Sequence, residues 1–220
     1  MPVRSPASLR AVAAAALLAF GASAQAAITV YDDEASFLAA LGVAAQVDTF
    51  DDLTPGANLG SGPFMRMAGS VMYEVSAGPD SDVLYGAGTA GDAWISTNLA
   101  SDLLTFTNFA PGVFGVGANV FGSDIAGDFL QAGLLVARAT DSMGSALEFQ
   151  FRPTTSTFMG FITDSGTITS FTVQSFYRST VVWPTVNNLT VGVVPEPGTV
   201  AMLLAGLAIV GAIARRQRSE

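Results

Sequence analysis

The heptapeptide "ALEFQFR" at residues 146–152 alternates apolar and polar side chains one by one. In an extended strand this period puts Leu147, Phe149 and Phe151 on one face and Glu148, Gln150 and Arg152 on the other. A helix would scatter the same residues around its circumference. The pattern recurs. "VFGVGANVF" predicts Phe114, Val116, Ala118 and Val120 on one face, with Gly115 and Gly117 on the opposite one. "DLLTFTNF", "TFMGFIT", "TITSFTVQSFY" and "NLTVGV" read as further strands, separated by turns rich in Gly, Pro, Asp and Asn. One short helix is predicted near the start, at "DDEASFLAALG". There Asp32 or Asp33 is the cap, Phe37, Leu38 and Leu41 form the apolar face, and Gly42 is the stop. About eight to ten short strands, with no fixed-period repeat, predict a mainly β chain folded as a jelly-roll-like two-sheet sandwich.

The residue types that are missing narrow the chemistry. The chain has no Cys, no His and no Lys, and all nine of its basic residues are Arg. Ser-His-Asp and Cys-His nucleophiles, ordinary zinc sites and Schiff-base lysines are therefore excluded. The net charge of −9 is carried by the middle of the chain. Residues 28–194 hold 4 Arg against 16 acids, whereas each end is slightly basic. An acidic body repels nucleic acid phosphates, so no nucleic-acid partner is expected.

The two ends carry addresses. Arg4 and Arg10 precede the apolar residues 11–20, and small residues around Ala24 and Ala26 follow. This is the pattern of a secretory signal peptide over residues 1–26, cut after Ala24 or Ala26. Near the other end, residues 199–214 lack any charge. At about 1.5 Å per residue they span roughly 24 Å as a helix, slightly short of the roughly 30 Å hydrocarbon core. Snorkelling arginines make up the difference. Pro195 and Pro197 fix the helix start, and Arg215, Arg216 and Arg218 favour the cytoplasmic side. A single C-terminal transmembrane helix is expected, with the domain at residues 27–193 held in the periplasm.

Pro195-Glu196-Pro197, the alanine- and leucine-rich helix and the Arg cluster together resemble the PEP-CTERM sorting signal of Gram-negative bacteria, here over residues 194–218. The resemblance implies recognition and processing by an exosortase. It also implies exopolysaccharide production and biofilm formation as the setting, with release from the inner membrane to the cell surface or extracellular matrix. The segments "QVDTFDDLTPG", "GVGANVFGSD", "STFMGFITDSGTITSFTV" and "VNNLTVG" also resemble extracytoplasmic domains found upstream of such signals, which implies a lectin-like jelly roll.

Three chemistries remain open for the exported domain. Asp48, Asp51 and Asp52, with Asn187 and Asn188, offer the hard oxygens that a structural calcium ion takes, provided the first and last strands lie together. Exposed aromatic rings flanked by amides and carboxylates suit a sugar. Trp94, Trp183 and Tyr177 are the leading candidates, with Tyr73 and Tyr85 behind them. A glycoside hydrolase would need a carboxylate pair, and no spacing marks one. The expectation is a non-enzymatic envelope or matrix protein with a structural or adhesive role. A lectin-like carbohydrate-binding module is the alternative, and a secreted hydrolase stands third.

Overall fold

The computed structural model describes residues 27–131, 133–154, 157–177 and 180–194. The expected signal peptide and everything from Pro195 onward lie outside the described residues. The chain first forms β1 (Ile28–Tyr31), helix α1 (Glu34–Leu41), β2 (Gln46–Asp48), β3 (Asn58–Ser61), β4 (Phe64–Ala68) and β5 (Val71–Gly78). Next come β6 (Val83–Thr89), β7 (Asp92–Thr97), β8 (Leu103–Thr107), β9 (Val113–Ser123) and β10 (Leu134–Asp141). Then follow β11 (Ala146–Phe151), β12 (Phe158–Thr163), β13 (Ile168–Phe176) and β14 (Trp183–Val193). These fourteen strands exceed the eight to ten expected because segments such as "QVD" and "NLGS" are too short to show a period.

Two antiparallel sheets result. The larger runs β1-β12-β9-β14-β7-β6-β3, and the smaller runs β11-β10-β13-β8-β5-β4. Strand β14 serves two neighbours on one edge, pairing with β7 at Thr185 and Val186 and with β2 from Leu189 to Val191. The sheets face each other across one core, where Phe161 of the larger sheet meets Phe171 of the smaller at 5.9 Å. Leu147, Phe149 and Phe151 pack against that core, as their alternation requires.

The helix begins and ends as its sequence dictates. Asp33 caps it by accepting from the Ser36 amide at 2.8 Å, and Gly42 closes it with φ 61°. Phe37 and Leu41, one turn apart, are buried. Leu38, expected on the same face, is exposed, because the next residue on a helix is rotated about 100° away and this two-turn helix touches the sheet along one line. That line lies over bare backbone. A Cβ on Gly115 or Gly192 would strike Leu41, and one on Gly160 would come within 2.5 Å of Phe37. Glycines on three strands thus let the helix lie directly on the outer face of the larger sheet.

Phe114 departs from its expected face. The pairing of β9 with β14 slips between Gly192, opposite Gly115, and Val193, opposite Val113. Phe114 is the extra residue, so the bulge turns its ring outward to the helix cluster of Phe37, Leu41 and Phe158. Val116, Ala118 and Val120 remain in the core.

Candidate functional site

The half of the larger sheet's outer face that the helix leaves uncovered holds a cleft of about 340 Å³. Alternation aims Tyr85 and Ala87 of β6, Trp94 and Ser96 of β7, and Phe121 and Ser123 of β9 toward this face, away from the core residues between them. Trp183, at the start of β14, adds a half-buried wall. Its indole N–H donates to the Asn98 carbonyl at 3.1 Å, which fixes the plane of the ring. Ser96 and Ser123 of the lining are tied together from beneath by the buried Thr185 hydroxyl. Thr185 lies 2.7 Å from Ser123 and 3.3 Å from Ser96, and Ser96 donates to the Pro184 carbonyl at 3.0 Å.

The loop at residues 124–127 forms the rim. One Asp124 carboxylate oxygen accepts from the amides of Ala126 at 2.8 Å and Asp128 at 3.0 Å, an Asx-type turn that shapes the loop. Gly127, at φ 87°, presses so closely on β6 that a Cβ would come within 2.8 Å of the Ala87 methyl. Its carbonyl accepts from the Trp94 indole N–H at 3.0 Å. Two aromatic walls, an amide, hydroxyls and one carboxylate around a water-accessible hollow form the mixed surface that a polar ring with apolar faces requires.

The aromatic candidates therefore divide. Trp183 and Tyr85 line the cleft. Trp94 lies behind it, edge-on to Phe121 with centroids 5.0 Å apart, and supports the rim rather than facing the hollow. Tyr177 is exposed just after β13 and is not among the lining residues. Tyr73 is wholly buried in the core. Asn98, Ser123 and Asp124 have no signal in the sequence, since Asn98 follows β7 and Ser123-Asp124 lie at the end of β9, two places that only the fold brings together.

Two of the aspartates considered for calcium, Asp48 and Asp52, are arranged around a guanidinium. Arg66 on β4 sends Nε and Nη2 to the two oxygens of Asp48 at 2.8 and 2.9 Å. It also binds Asp52 at 2.7 and 3.3 Å, and its charge lies 4.9 Å from the Phe50 ring centre. Tyr73 donates its hydroxyl to Asp48 at 2.6 Å, and the Phe50 amide donates to it at 3.0 Å. Burial opposes the Arg66 charge, but the hydrogen bonds to Asp48 and Asp52 outweigh it and raise its pKa. Burial, then the Asp48 charge, push the Tyr73 hydroxyl far above the usual tyrosine range, so it stays a donor. Asp52 is held below its ordinary value mainly by the hydrogen bond from Arg66.

Strand β2 does lie beside the last strand, with Asp48 opposite Leu189. Asp48 nonetheless turns inward to the smaller sheet, while Asn188 takes φ 53° at a bulge and donates to Asn119 at 3.1 Å. Asn187 donates to Asp92 at 3.1 Å. Asp51 accepts from the Ala93 amide at 3.4 Å. The expected ligand set is thus dispersed over separate partners. Among the described residues, no group of three or more His, Cys, Asp and Glu side chains is placed to hold a metal.

Strand β14 leads straight into the tail. Val193 packs against the core, the Val194 amide donates to the Gly112 carbonyl at 2.9 Å, and Pro195 follows. Among the described residues, no helix is long and apolar enough to cross a membrane, and the expected spanning segment lies outside them. The PEP-CTERM protein-sorting motif matches residues 193–219, which takes in Pro195, Glu196, Pro197, Arg215, Arg216 and Arg218. No curated protein and no solved structure matches the chain. The matched motif supports an exported protein sorted by an exosortase, and on that motif the chain is a PEP-CTERM protein.

Proposed function

We propose that the sorted domain is an adhesive component of the extracellular polysaccharide matrix and holds glycan in the cleft between Tyr85 and Trp183. The observation that carries this reading is the cleft's composition. Trp183 and Tyr85 offer ring faces for stacking, and Asn98, Ser123 and Asp124 offer hydrogen bonds beside them. We take the domain to bind without turnover. Asp124 is the one carboxylate among the described residues that line the cleft, and it accepts two amides of its own loop. A glycosidase works with a pair of carboxylates roughly 5–10 Å apart. The passage of the chain between the sheets from β7 to β10, and again from β11 to β14 after the β10–β11 hairpin, supports the jelly-roll reading of the fold.

The test is binding to purified exopolysaccharide and to a glycan array. Saturable binding is expected, lost in Trp183→Ala and reduced in Tyr85→Ala, with Tyr177→Ala unchanged. Binding that survives Trp183→Ala at full strength refutes the cleft as the glycan site.

The delivery route extends from the motif. The apolar run at residues 199–214 holds the chain in the inner membrane with the domain in the periplasm, and the three arginines keep its end cytoplasmic. Exosortase processing near Pro195-Glu196-Pro197 then frees the domain for the cell surface or matrix. Replacing Glu196 by Gln and the two prolines by Ala should strand the unprocessed chain in the membrane fraction. Normal processing of that variant would overturn this account.

A further inference from the structure

Three of the chain's seven methionines lie on one hairpin, in "FMRMAGSVMYE". Met67 on β4 and Met72 on β5 are register partners, and Met65 lies two residues before Met67. Alternation turns all three to the outer face of the smaller sheet, where they are 66%, 55% and 46% exposed in chain order. Arg66, between Met65 and Met67, and its register partner Tyr73, next to Met72, point the other way into the buried cluster with Asp48. Directly opposed residues have Cβ atoms about 5 Å apart, and residues two apart on a strand are about 7 Å apart. Flexible thioether side chains on that triangle can bring all three sulfurs onto one point.

Packing does not explain the choice of residue. Met is not among the residues that strands favour, and a solvent-facing ladder offers no core gap for it to fill. Edge strands ordinarily carry charge on this face. What Met supplies that Leu, Val or Lys cannot is a soft sulfur ligand. The chain has no Cys or His, so thioethers are the soft ligands it possesses. Glu74, opposite Met65 on the same face, places negative charge beside the triad, while the Arg66 cation is turned inward and bound by two carboxylates.

We infer that Met65, Met67 and Met72 form a binding site for a soft monovalent cation, Cu(I), on the exported face of the protein. Thioethers select Cu(I), and without imidazole or thiolate the site has nothing with which to favour Cu(II) or Zn(II). The ion is bound as such, with no change of oxidation state.

The test is an anaerobic titration of the full-length chain, purified in detergent, with Cu(I) against a chromogenic Cu(I) chelator. Uptake of one Cu(I) per chain is expected. Met67→Leu combined with Met72→Leu should abolish it, and Met143→Leu, at another exposed methionine, should leave it intact. Leu is close to Met in volume, and circular dichroism of the metal-free variants should match the parent. Ag(I), a redox-inert probe, should raise the melting temperature of the parent and not of the double variant. No uptake by the parent, uptake unchanged in the double variant, or equal affinity for Zn(II) would overturn the assignment.

Discussion

Replacing Arg66 by Leu tests what joins the two sheets beneath the loop at residues 49–57. The Arg66 side chain is 14% exposed and that of Asp48 is 6% exposed, so their ion pair is largely removed from water. Its geometry is bidentate, and Tyr73 and Phe50 satisfy Asp48 further. Removing the guanidinium leaves a buried carboxylate without its counter-charge, a loss of about 3–5 kcal/mol in comparable sites. The Asp52 arm adds little, because that side chain is 69% exposed and exposed pairs contribute about 0–1 kcal/mol. The contact with the Phe50 ring adds about 0.5–1 kcal/mol.

A total near 5 kcal/mol corresponds to a fall in melting temperature of about 10–20 °C for a domain of this size. Thermal unfolding followed by circular dichroism measures it. The diagnostic partner is Asp48→Asn in the same background. If the stranded charge causes the loss, the neutral amide in the double variant recovers about 1–2 kcal/mol of it. An Arg66→Leu loss below about 1 kcal/mol, or a double variant no more stable than the single one, would refute the reasoning.

Further outcomes follow from the same contacts. Gly160→Ala should destabilise by about 1–3 kcal/mol, since its methyl meets Phe37 and Phe158 at 2.5 and 2.8 Å, whereas Gly144→Ala meets no atom within 4 Å and differs only by backbone strain. Chemical denaturation of both variants separates the two effects. Asp52, lowered from 3.8 by its bond to Arg66, contributes stability that is present above its unfolded value and lost as pH falls through its folded value. Asp52→Asn should therefore flatten the stability profile below about pH 4 by no more than about 0.2–1 kcal/mol, read from denaturation series at stepped pH. Deleting residues 195–220 should leave the unfolding transition in place, because the core closes with Val193. Deleting from residue 189 onward removes buried Leu189 and Val191 and should abolish the cooperative transition.

The parts legible in the sequence are those whose cause is local. The helix was readable because Asp33, Phe37, Leu41 and Gly42 act within two turns of one another. The strand at residues 146–151 was readable because burial on one face imposes a period of two. Phe114 was misplaced because one residue inserted opposite β14 reverses the phase of everything before it, and nothing in "VFGVG" announces the slip. The tail was legible for a different reason. A sorting signal is read by its receptor as a linear segment, so its information is linear too.

The aspartates of "VDTFDD" show where such reading stops. A carboxylate cluster is an equally good description of a calcium loop, a set of turn caps and half of an ion pair. The deciding fact is whether a cation of the chain itself reaches the cluster. Arg66 reaches it from β4, from the opposite sheet, with Tyr73 beside it from β5. Arg66 is one of four arginines in an otherwise acidic body, and its partner could be chosen only once β2 lay against β14 and faced β4. The cleft has the same origin. Its two rings were visible as rings, but Tyr73 and Tyr85, twelve residues apart in sequence, end up in the core and in the cleft because Tyr73 has the inward parity on β5 and Tyr85 the outward parity on β6. Which face an aromatic residue joins is set by its parity along the strand, and that parity is anchored by pairings between distant strands.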